Sequence, residues 1–234
     1  MIDALRAALA SAGFGVTAVG QVGPYNREVG PIAPAFVLPD FGREDALVLL
    51  VGNGGELLEA LRAAAAAEPS FASRPDPIEH LTREVVTRLA RTHLGGVSHA
   101  IRFTADPPPR TFAAVRLARL LGLAETGPTQ LSIHPERGPW IALRAAIVVD
   151  VEGPVPEAPA SRCARCEGRP CVPAMDAALE AIGGLPNLGR ATLRAHADRF
   201  IAARKACPVG RDHTYPGPLL RYHYTLERDL LFPR

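Results

Sequence analysis

No run of apolar residues in this chain is long enough to cross a bilayer. The run ALVLLVG at 46–52 falls far short of the roughly 20 residues a membrane helix needs. The opening stretch, MIDALRAALASAGF, carries an acid at Asp3 and no uninterrupted apolar segment, so it reads as a short amphipathic helix and not as a targeting signal. Lysine is almost missing. Lys205 is the single one, arginine carries nearly all the positive charge, and the net charge is only +2. The arginines are scattered and form no basic stripe, so nucleic acid is not an expected partner, and neither is a membrane. There is no P-loop, no G-x-G-x-x-G after a strand and no G-x-S-x-G elbow. The stretch VGNGGELLEA sets glycines before a helix but lacks the lysine and third glycine of a phosphate turn. Cysteine is scarce as well, with four in the chain. The expected compartment is cytoplasmic, where thiols stay reduced, so these four are not expected to be disulfides. A metal, a cluster or chance burial remain.

What is present suffices for a substantial core: 234 residues, 47% of them apolar. Apolar spacing predicts a helix over 2–12 and a Val/Thr-rich strand over Val16–Val22. A loop with Gly23, Pro24, Pro31 and Pro34 follows, holding Tyr25, Asn26 and Arg27. Ala46–Val51 reads as a buried strand, after which Asn53 is expected to cap the helix GELLEALRAAAAA. The next helix should open with a capping box, Asp76 accepting from the first turn, Pro77 at the first position and Glu79 completing it. A strand over Val97–Phe103, a helix in TFAAVRLARLLGL, and a pair of strands over Gln130–His134 and Trp140–Asp150 joined by HPERGP complete the body. The alternation predicts an α+β layered sandwich, one sheet covered on both faces. Val151–Arg162 carries three prolines and should run extended, dividing a body at 1–150 from a C-terminal helical arm at 151–234. In the arm, helices are expected at Ala174–Ile182 and Thr192–Lys205, with a further apolar-periodic segment in the tail PLLRYHYTLERDLLF.

The arm also carries the cysteines. Cys163 and Cys166 are two residues apart, a spacing that lets both sulfurs reach one metal from a tight loop. Cys171 follows, and Cys207 precedes a proline, as the last cysteine of a cluster-binding run often does. Four thiolates suit an iron–sulfur cluster or zinc, and spacing separates these poorly. Arg162, Arg165 and Arg169 interleave the set and are expected to lower the thiol pKa values. His134, at a strand end before Pro135, could ligate a metal, donate a proton or cap a carbonyl. Trp140 reads as core unless a planar cofactor lies over the sheet. No residue stands out as catalytic.

TQLSIHPERGPWIALRAAIVVDVEGPVP, with its I-H-P-x-x-G-x-W-x-A-x-R pattern, resembles the core segment of the CblC (MMACHC) cobalamin-processing proteins. GFGVTAVGQVGPYN, APAFVLP, the DPIEH helix start, RDHTY and RYHYTLERDLLFP follow that family's order. The same Ile133–Trp140 pattern, followed by a proline-rich linker and a CxxC run, is similar to epoxyqueuosine reductases and reductive dehalogenases, which combine cobalamin with iron–sulfur clusters. The resemblance implies a nitroreductase-like fold with a cobalamin held between sheet and arm. It also implies corrinoid reduction or dealkylation, served by a thiol or an electron-donor protein. Gln130, Leu131, Ser132 and Ile133 match the segment that lines the corrin. His134 and Trp140 belong to the same stretch. Arg144, Arg211 and Arg221 match basic positions of a glutathione site. The chain departs from both groups: CblC proteins need no cysteine cluster, and the reductases carry cysteines for two. Four here allow one tetrathiolate [4Fe-4S] cluster, or a zinc in its place. The rival readings are a cobalamin- and cluster-dependent reductase of an organic or nucleoside substrate, and a non-enzymatic, zinc-stapled cobalamin chaperone.

Overall fold

A computed structural model describes residues 1–157 and 161–233. In chain order the body contains α1 (Ile2–Ser11), β1 (Val16–Gln21), α2 (Gly23–Val29), β2 (Ala46–Asn53), α3 (Leu57–Ala67), α4 (Pro77–His93), β3 (His99–Phe103), α5 (Ala114–Leu120), β4 (Glu125–Thr126), β5 (Ser132–Ile133) and β6 (Ala142–Glu152). The arm adds α6 (Cys171–Glu180), α7 (Arg190–Ala195), α8 (Ala197–Lys205) and α9 (Gly217–Thr225), with short 3-10 turns between.

The main sheet is antiparallel throughout, in the order β1-β2-β6-β3. Its central strand explains the continuous apolar run. Leu47, Leu49 and Val51 face a first core with α1, α3, α4 and α9, whereas Ala46, Val48 and Leu50 face a second core with α2 and α5. Alternate residues of one strand thus enter opposite layers, and both must be apolar. The expected layered sandwich forms.

Several local expectations are corrected. The Gly23–Val29 stretch is a helix, because Pro24 falls in the first turn, where its missing N–H costs nothing. Tyr25 then pins it, donating to the Phe36 carbonyl at 2.9 Å and accepting from the Ala113 amide at 2.8 Å. Asn53 does not cap α3. It is fully buried on β2 and accepts from Arg144 Nε at 2.7 Å. The capping box at Asp76 does not close either, since Glu79 turns to Arg144 at 3.5 Å. The expected strand pair is not a pair: β5 joins β4, not β6, in a separate two-stranded ribbon. His134 and Gly138 form one isolated bridge beyond it. The helix expected over Thr192–Lys205 is broken at His196 into α7 and α8. Of the proline-rich linker, Val151 and Glu152 belong to β6, and residues 158–160 lie outside the described residues. The tail returns to the body, with Tyr215, Leu219, Leu220, Tyr222 and Leu231 buried in the first core.

Candidate functional site

Three separate pieces of chain converge at one end of the β4–β5 ribbon. Cys163 opens a 3-10 turn, Cys163–Arg165, with Cys166 directly after it; Cys171 is the first residue of α6; Cys207 lies just past α8. α6 and α8 pack together. All four cysteines line one small cavity of about 20 Å³, with Leu131, Ile133, Arg169 and Arg204 on its walls. Cys207 is buried and the other three are half-buried, all as free thiols. Among the described residues no three His, Cys, Asp or Glu side chains are grouped tightly enough to hold one metal ion.

Three clamps bring these pieces together. Arg204, at the end of α8, donates to the carbonyl of Pro139 and stacks over Trp140 at 5.1 Å and Tyr215 at 4.9 Å, which fixes α8 to the entry of β6. Arg162 donates to the Pro135 carbonyl at 3.0 Å, tying the CxxC turn to the 134–138 loop. Backbone then meets backbone at Gly138 and Gly210. Both have positive φ (57° and 69°), and a Cβ on either would overlap the other segment's main chain, at Val209 or Arg137. That contact seats Cys207 against the same loop.

The expectation that arginines lower the thiol pKa values is corrected. Burial pushes the Cys163 thiol up to about 11, reinforced by Glu125 beside it and by Cys207 and Cys171. Burial also raises Cys171 and Cys207, although Arg169 and Arg211 pull the other way. Desolvation outweighs exposed guanidinium groups, and these three thiols hold their protons at neutral pH. A ligated metal must displace those protons.

A second cavity, about 380 Å³, adjoins the first along the tip of the ribbon, with Pro128, Thr129 and Leu131 lining both. Gln130, Val172, Met175, Leu179, Leu188 and Phe200 help to complete it, an apolar cleft between ribbon and arm. Of the expected corrin wall, Gln130 and Leu131 thus face the cleft and Ile133 the thiol cavity. The Ser132 hydroxyl is buried without a partner among the described residues. His134 acts locally: its Nδ1 accepts from the amides of Glu136 (3.1 Å) and Arg137 (3.2 Å), and burial lowers its pKa. Trp140 is 1% exposed and lines neither cavity. Arg144 is buried beneath the sheet with Asn53 and Glu79. Arg211 is exposed, and Arg221 is exposed on α9, paired with Asp198 at 2.6 Å. Two side chains that shape the site escaped the sequence reading, Arg204 and Glu125. Glu125 sits just before the TGPT turn, and no spacing rule links it to a cysteine 38 positions later.

Fold and site together define a nitroreductase-like α+β sandwich that carries a cysteine-bearing helical arm. In particular, the chain is similar to the B12-trafficking protein CblC of C. elegans, a human MMACHC homologue. The TM-score is 0.63 at 16% identity, over 99% of this chain and 96% of that one. It is similar also to epoxyqueuosine reductase from Streptococcus thermophilus, with a TM-score of 0.60 at 12% identity over 92% of this chain and 68% of that one. The Bacillus subtilis epoxyqueuosine reductase gives 0.51 at 12% identity, over 97% and 69%. No family model and no curated protein sequence matches the chain. At these identities the likeness establishes a shared fold. Among the described residues no helix is long and apolar enough to cross a membrane.

Proposed function

We propose that this chain binds a corrinoid in the apolar cleft and reduces it or removes its upper ligand, using an iron–sulfur cluster held by Cys163, Cys166, Cys171 and Cys207. The observation that carries this reading is the adjacency of the two cavities: all four thiols line one, and Pro128, Thr129 and Leu131 line both. The fold shared with a B12-trafficking protein and with epoxyqueuosine reductases supports it. In this reading the body at 1–150 supplies the ribbon wall and the arm at 151–234 supplies the ligands.

The donor set fits a cluster in type, four sulfurs lining one cavity. A four-thiolate set takes zinc as well, and metal analysis separates the two. When bound, such a cluster supplies electrons one at a time. The chain's own residues would do the rest. Leu131 and Ile133 exclude water from the space between the sites. Arg169 and Arg204 place positive charge on the thiol wall, offsetting the negative charge of a tetrathiolate site. The Ser132 hydroxyl and Gln130 are suited to orient amide groups on the rim of a corrin.

Anaerobic purification followed by iron, sulfide and zinc analysis, together with titration by hydroxocobalamin or methylcobalamin, tests this. The expected outcome is about four iron and four sulfide per chain, with a corrinoid absorption change at micromolar protein that signals loss of the lower base. One zinc without sulfide would favour a structural staple, and an unchanged corrinoid spectrum would remove the function altogether.

A further inference from the structure

Glu125 has no part in the reading above, yet it is the most heavily engaged carboxylate near the site. It stands on β4 opposite Ile133 of β5, so its backbone belongs to the ribbon that walls both cavities. Its side chain reaches the cysteine turn instead. Oε1 accepts from the amides of Arg162 at 2.5 Å and Cys163 at 2.8 Å, and Oε2 accepts from the Ser161 hydroxyl at 2.7 Å. All these donors are uncharged and come from consecutive residues 161–163.

Such an arrangement has a specific effect on the chain. The first amides of the Cys163–Arg165 turn have no partner inside the turn and must be satisfied from elsewhere. A carboxylate accepts through both oxygens, and a charged acceptor makes bonds roughly twice as strong as a neutral one. Glu125 therefore caps the turn from 38 positions away and sets both its distance and its orientation to the ribbon. Ser161 extends the network, because its Oγ also accepts from the Ala164 amide at 3.2 Å. Residues 161–164 thus form one unit fixed to β4, and Cys163 and Cys166 ride on it.

We infer that Glu125 is the positioning residue of the four-cysteine site, holding the Cys163–Cys166 turn in the place from which its sulfurs share a cluster with Cys171 and Cys207. The inference rests on the cluster reading above and adds a residue that is not itself a ligand. Glutamine in its place keeps the shape but loses the charge that strengthens these bonds, and with its one oxygen on the two amides its NH₂ faces the Ser161 hydroxyl that donated to Oε2.

The test reconstitutes the full-length wild type, E125Q and S161A anaerobically with iron and sulfide. It follows iron release to a chelator, the EPR spectrum of the reduced cluster, and the melting of each apoprotein. E125Q is expected to release iron at least tenfold faster with an altered EPR line shape, while its apoprotein melts within a few degrees of wild type. S161A, which loses one bond to Oε2, should fall between the two and serves as the decisive variant if E125Q does not fold. Release rates and spectra equal to wild type in both variants would overturn the role of Glu125 and leave the cluster standing. A folded wild type that takes up no iron or sulfide would overturn the cluster reading, and this one with it.

Discussion

Arg144 and Arg204 both lie inside the first core beside His223, and both hold its pKa down in addition to the larger effect of burial. Glu79 approaches Arg144 at 3.5 Å, whereas Arg204 is held by carbonyl oxygens and aromatic faces. Arg144 Nη2, Trp140 Nε1, Tyr215 Oη and His223 Nε2 are buried without partners among the described residues. A proton on His223 would add a third positive charge to this group, so the ring stays neutral well below its ordinary value of about 6.5. Above that pH both folded and unfolded chains carry a neutral ring. Below it the unfolded chain binds a proton that the folded chain refuses, and stability falls as pH falls. His134 acts in the same direction, since burial lowers its pKa too. The melting temperature is therefore expected to drop by several degrees between pH 7 and 5.5. His223→Phe should flatten that slope while changing the value at pH 7.5 little. Parallel curves for wild type and variant would show that the ring's environment is not as described.

At the level of elements, the seat of Cys207 depends on the contact between the 134–138 loop and the segment after α8. Gly138→Ala forces a side chain into a left-handed conformation and into Val209 at once. The expected cost is about 2–4 kcal/mol from backbone strain and overlap together. The change displaces Cys207 from the other three cysteines, so on the proposed cluster reading iron uptake on reconstitution should fall further than the folded fraction does. Wild-type uptake with a wild-type melting temperature would mean that the contact does not position Cys207. The IHPERGPW stretch was legible from its pattern, but its pairing was not. β5 is two residues long, and whether so short a strand joins a neighbouring sheet or a private ribbon depends on tertiary packing that no alternation encodes. The buried strand over 46–51 and the helix beginning at Pro77 were legible because an unbroken apolar run marks the first, and a proline start with apolar residues at helical spacing marks the second. Pro24 misled because a proline that ends one element can start another. The break at His196 carries no glycine or proline and leaves no mark in the pattern. The cysteine convergence was legible in its ligand types, whereas the clamps that enforce it, Arg204 and Glu125, act across 65 and 38 positions and appear only once the chain is folded.

For the whole molecule, the arm is also a support of the body. Tyr215, Leu219, Leu220, Tyr222 and Leu231 are at most 3% exposed and sit in the same core as Leu5, Leu49 and Val86. Burying five such side chains stabilises the fold by roughly 8–15 kcal/mol at about 1.5–3 kcal/mol each. The net stability of a domain is of about that size, 5–15 kcal/mol. The chain thus runs out from the body at residue 152, forms the cysteine cavity and the cleft, and returns to close the core from which it left. This path holds the site under tension from both ends: β6 anchors the outgoing segment, and α9 anchors the returning one. A chain stopped after Thr214 keeps the main sheet and all four cysteines, yet it exposes the first core where α9 lay. Loss of a single cooperative melting transition, with binding of a hydrophobic dye at room temperature, is the expected behaviour of that truncated chain. A sharp transition near the full-length value would mean that residues 1–214 form a self-sufficient fold and that the tail is an accessory to it.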